Sequence, residues 1–91
     1  MLTKVKLSLR VTNDVFNDEI TDLIEAAKID LYAGGVSQHL LDTPDAWVER
    51  AIVLYAKANY GMANPDSEKY DDAYHNVRQK LSLSGKHNVL E

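Results

Sequence analysis

The stretch that most constrains the fold is Thr43–Gly61, TPDAWVERAIVLYAKANYG, in a chain of 91 residues. Within it, Ala51-Ile52-Val53-Leu54-Tyr55-Ala56 offers no polar group except the tyrosine hydroxyl. A helix that is apolar nearly all round is buried by several neighbours at once. The β-branched pair Ile52-Val53 also suits a buried strand, and periodicity alone does not separate the two. The length of the segment, its end signals and its four alanines decide for a helix. Thr43 is a candidate N-cap, with Pro44 at the first helical position, where its missing N–H costs nothing. Asp45 and Glu49 lie near the positive end of the helix dipole and Lys57 toward the negative end. Gly61 supplies a left-handed stop. This segment is expected to be the central helix of the fold.

The rest of the chain reads as helices that cover it. Val5, Leu7, Leu9 and Val11 alternate with polar residues, which suits a strand, yet Leu2, Val5 and Leu9 also share one face of a short helix capped by Thr3. A lone strand would leave its backbone groups without a partner, so the helix is preferred. After the turn signal Asn13-Asp14, a helix is expected from about Val15 to Ala33, with Phe16, Ile20, Leu23, Ile24, Ala27 and Leu31 at helical spacing. Gly34-Gly35 ends it, and Val36–Asp42 forms a short connection that tucks Leu40-Leu41 toward the core. Asn64-Pro65 opens the last helix, whose apolar stripe is Tyr70, Ala73, Tyr74, Val77 and Leu81. The expected fold is therefore all-α, a small bundle of about four helices, one short and N-terminal and three longer. Its core contains Ile20, Leu23, Ile24, Ala27, Ala51, Ile52, Tyr55 and Tyr74. Residues 1–83 form the domain, and 84–91 a loose tail whose final Leu90-Glu91 reads as a cloning scar or as native sequence equally well.

Composition narrows the function classes. There are no cysteines, which excludes a disulfide framework and thiolate metal sites. No apolar run approaches the roughly 20 residues that span a bilayer, and without a leader-like segment a cytoplasmic location is expected. The formal net charge is −4, from 14 acidic and 10 basic residues, which gives no footprint of a general nucleic-acid binder. Most acidic residues fall in first helical turns and several basic ones in late turns, so helix-end electrostatics accounts for much of the excess.

Site chemistry is sparse. His39, His75 and His87 are scattered, with no metal-ligand spacing around them. Asp71 and His75 stand four apart on one helix face, as a surface pair without a nucleophile or an orienting third group. No serine sits in a nucleophile elbow, and Gly34-Gly35 is not followed by Gly-Lys-Ser/Thr. Lys4, Lys6 and Arg10 make the densest basic cluster, which reads as a solvated face. Trp47, Tyr55, Tyr60, Tyr70 and Tyr74 fall on the last two long helices and are expected to pack in the core with hydroxyls at its rim. A bundle this small does not hide every apolar residue in its connections. Val36, Leu40, Leu41, Met62 and Leu83, with Val89 in the tail, are accordingly expected at a subunit interface.

The order and spacing of Val5-Lys6-Leu7-Ser8-Leu9-Arg10-Val11, Asn17-Asp18-Glu19-Ile20, Leu23-Ile24-Glu25-Ala26-Ala27, Arg50–Gly61 and the Tyr74…Leu81 helix resemble the head–tail connector, or DNA-packaging adaptor, proteins of tailed bacteriophages and prophages. The resemblance covers about Leu2 to Leu83 and rests on the sum of its segments. It implies a structural subunit without catalytic residues or cofactor, located in the virion at the head–tail junction and in the host cytoplasm during assembly. It further implies a ring, commonly of about twelve copies, beneath the portal protein. Such a ring extends the DNA channel and docks tail-completion proteins, without sequence-specific DNA binding and without a membrane. A small helical regulatory or DNA-binding module is the alternative reading.

Overall fold

A computed structural model describes residues 1–61 and 65–83. Five helices occur among them: α1 (Leu2–Leu9), α2 (Asn17–Ala33), α3 (Gln38–Asp42), α4 (Ala46–Asn59) and α5 (Ser67–Leu83). The residues give α4 its central place. Val48, Ala51, Ile52, Leu54 and Ala56 are buried around most of its circumference, and α1, α2 and α5 all pack on it. The fold is all-α, and the N-terminal segment that alternated in polarity is a helix with Val5 buried and Leu2 and Leu9 packed at the core's edge.

Several ends differ from the sequence expectation, each for a local reason. Thr43 does not cap α4, because its N–H closes α3 on the His39 carbonyl at 2.9 Å. Asp45 caps instead, its Oδ1 accepting from the Val48 N–H at 2.9 Å. Thr3 is likewise not a cap; Met1 precedes the first helical residue without a side-chain bond. The second helix starts at Asn17 rather than Val15, since Asn13 Oδ1 accepts from the Val15 N–H and holds residues 13–16 in a turn. Phe16 then leaves the α2 stripe and meets Tyr60 edge to face, with ring centroids 6.2 Å apart. The fifth helix is α3, a single turn within the expected 36–42 connection. Asn64 and Met62, and the expected tail 84–91, lie outside the described residues.

Helices α2 and α1 end in the same hydrogen-bond pattern with different residues. At the end of α2 the Gly35 N–H bonds the Tyr32 carbonyl and the Val36 N–H bonds the Leu31 carbonyl, each at 3.0 Å, with Gly35 at φ 102°. This Schellman arrangement turns the residue after the glycine back onto the last turn of the helix, and Leu31 and Val36 are both fully buried. At the end of α1 the same pattern places Arg10, not a glycine, at φ 60°. An L-residue there costs about 1 kcal/mol that glycine would avoid.

Candidate assembly surfaces

Burial divides the residues singled out in the sequence. Ile20, Ile24, Ala27, Ala51, Ile52 and Tyr74 are buried, while Leu23 and Tyr55 are half-buried. Of the residues expected at an interface, Val36 is instead a core residue of the subunit itself, and Leu41 is buried as its expected tuck toward the core required. The Schellman turn buries Val36, and the single turn of α3 points Leu41 inward; neither side chain is offered to a neighbour. Leu40 is half-buried against the core, and Leu83 is 78% exposed at the end of α5. Among the aromatics, Tyr55, Tyr60 and Tyr70 are half-buried, but Trp47 is exposed rather than packed in the core, and Tyr32 at the end of α2 is exposed as well.

The buried polar chemistry is structural. The Tyr74 hydroxyl donates to Asp30 Oδ2 at 2.5 Å, and Arg78 Nε lies 3.1 Å from the same oxygen. Arg78 also reaches the Asp30 carbonyl, at 3.4 Å from Nε and from one terminal nitrogen. Its guanidinium lies over Gly34, where an added Cβ would stand 2.8 Å from Cζ. A cation is thereby held at the negative end of the α2 dipole. Burial, and then Asp30, push the Tyr74 hydroxyl far above the ordinary tyrosine range. This tyrosine is nearly fully enclosed and stacks edge to face on Tyr55, with centroids 5.2 Å apart.

That arrangement sets an alkaline limit. A free tyrosine ionises near pH 10, so above that pH the unfolded chain loses a proton that folded Tyr74 keeps. The contribution is fully present below about pH 10 and is lost as pH rises toward the folded-state value. Tyrosinate absorbance and helical circular dichroism, followed together, should show Tyr74 ionising only as the helices melt. Tyr74→Phe should remove that coupled ionisation and cost about 1–3 kcal/mol at neutral pH. A Tyr74 that ionises while the helices persist would contradict the enclosure.

Surface charges form separate pairs. Lys4 meets Glu49 at 2.9 Å, Lys6 meets Asp14 at 2.8 Å, and His75 stands 3.4 Å from Asp71 with both side chains exposed. Lys6 holds the Asp14 carboxyl below its usual pKa, through its hydrogen bond first and its charge second. Among the described residues no group of three or more His, Cys, Asp or Glu could hold a metal ion, and no helix is long and apolar enough to cross a membrane. What remains prominent is exposed apolar surface on helices: Leu7 on α1, Ile29 and Tyr32 on α2, Trp47 on α4 and Leu83 on α5. Isolated exposed leucines need no explanation, but grouped aromatic and aliphatic residues mark contact surfaces.

A family model described as "Phage connector protein" matches residues 1–88. The chain belongs to the phage connector protein family. Comparison with curated proteins and with solved structures finds no match. The family points to a structural component of the phage particle. Sequence reading sought contact surfaces in the connections and did not single out the exposed apolar helix faces. The available signal was the 18, 22, 25, 29, 32 spacing on α2, opposite its core stripe. It also missed Asp30 and Arg78, whose pairing across 48 residues leaves no local pattern.

Proposed function

We propose that this connector is the repeating subunit of a ring beneath the portal, extending the DNA channel and docking the next tail component. The observation that carries the reading is the family match over residues 1–88. An all-helical subunit with distinct exposed faces supports it, because a closed ring needs two different complementary surfaces on each copy. The partners are other copies of the chain, the portal protein and tail-completion proteins, and the subunit works without a cofactor or catalytic residue. Its net charge of −4 suits a channel that DNA must slide through, since each neutralised phosphate adds affinity through counterion release.

The test is head–tail joining in a phage lacking this protein. Heads and tails should accumulate separately, joining should return when the protein is supplied, and imaging of the cognate portal should show an added ring. Normal joining without the protein would reject the reading. Tight, salt-dependent retention of duplex DNA by the isolated subunit would favour a DNA-binding module instead.

A further inference from the structure

The outer face of α2 and the groove between α1, α4 and α5 are opposite in charge. On α2, Asp18, Asp22, Glu25, Ile29 and Tyr32 follow one another at spacings of four and three, all exposed. They form a ridge opposite the buried stripe Ile20, Ile24, Ala27 and Leu31. Its first half is acidic and its second half apolar. Asp18 and Asp22 have no cation partner among the described residues, and Glu25 has only Lys28 at 4.0 Å.

The groove carries the opposite character. Two adjoining cavities of about 400 and 470 Å³ share Ser8, Lys57 and Tyr70 in their walls. Their charged lining is Lys4, Arg10, Arg50 and Lys57, against the single carboxylate Glu49, which already holds Lys4. Arg10 and Arg50 make no ion pair among the described residues. The Lys57 ammonium lies over the Tyr70 ring, 5.1 Å from its centroid, and Val53 and Leu54 supply apolar wall. Lys57 and Arg10 stand at the ends of α4 and α1, but Lys4 and Arg50 lie in early turns. Helix-end placement therefore does not account for the whole excess of cations on a chain whose overall charge is negative. Arg10 is held in this wall by the left-handed backbone that closes α1.

We propose that the α2 ridge of one copy seats in the α1–α4–α5 groove of the next, making the head-to-tail contact of the assembly. This rests on the ring reading given above. Ridge and groove share no residue, so one copy can use both at once, which a heterologous contact requires. Opposed charges set the register, while Ile29 and Tyr32 can pack on Val53 and Tyr70. A protein is favoured over nucleic acid as the occupant because the groove has apolar wall among its cations and the chain itself carries a matching acidic ridge.

The test uses two full-length variants, a groove variant Arg10→Glu with Arg50→Glu and a ridge variant Asp22→Lys with Glu25→Lys. Each alone sets like charges against each other at every contact and should weaken self-association by about tenfold or more, with unchanged melting. Mixed in equal amounts, each groove variant can seat a ridge variant and each parental groove a parental ridge, so association should return in alternating order. Sedimentation of the protein, free and bound to its cognate portal, reads both effects. Parental association by either variant, or no recovery on mixing, overturns the contact. So does a groove variant that loses duplex DNA binding while self-association stays intact. Subunits that bind the portal without touching one another overturn the contact and spare the connector reading. A parent that does not engage the portal overturns the connector reading itself.

Discussion

Ile52→Ala is expected to lower the stability of the subunit by about 2–5 kcal/mol. Ile52 is fully buried on α4, the helix against which α1, α2 and α5 all pack. Truncation there removes methyl and methylene contacts with several elements at once, and helices joined through a common partner do not collapse readily to fill the space. A domain of this size has a total stability at the lower end of about 5–15 kcal/mol. The variant should therefore show a much lower denaturation midpoint with an unchanged denaturant slope. A midpoint equal to the parent's would mean that α4 is not the centre of the core.

Val36→Asp should act more severely, at more than about 4 kcal/mol, enough to remove most of the subunit's stability. The carboxylate would stand where a fully buried methyl pair now lies in the hydrophobic core, beside the equally buried Leu31 of the same Schellman turn. Burying an unpaired charge costs several kcal/mol, in addition to the lost valine burial of about 1.5–3 kcal/mol. Leu83→Asp provides the contrast. Its side chain is 78% exposed, so its effect on stability should stay within about 0.5 kcal/mol. Circular dichroism of the two variants decides between a core and a surface role for Val36. A folded Val36→Asp with parental melting would return that residue to the interface.

This pair of residues shows where sequence reading succeeds and where it stops. The apolar run of α4, the core stripe of α2 and the glycine stops are local patterns, and local patterns are legible from spacing. Gly34-Gly35 announces that α2 ends there. It does not announce that the exit backbone bonds back to Leu31 and drives Val36 inward. Val36 stands in a connection by sequence and in the core by geometry. The same limit explains Thr43 and Asp45, both acceptable caps. The choice follows from α3, a one-turn helix with too little periodicity to be anticipated, which takes the Thr43 N–H. The Asp30–Tyr74–Arg78 group depends on a meeting between residues 44 and 48 apart. The exposed stripe on α2 was present in the sequence as spacing, but its mixed acidic and apolar character resembles an ordinary solvated helix face.

The Asp30–Tyr74–Arg78 group also bears on the geometry of the assembly. Outside it, α2 and α5 touch little, each leaning chiefly on α4. Hydroxyl, carboxylate and guanidinium therefore form the main direct tie between the two helices and help fix the angle between them. In the proposed contact the ridge rides on α2 and α5 forms one bank of the groove, so the angle between these helices would set the rotation carrying one copy onto the next. In a ring closed through these faces, an error of a few degrees per subunit accumulates around the circle into a gap or an overlap. In the proposed ring, a small polar tie inside one subunit would thus govern the wedge angle of the whole annulus.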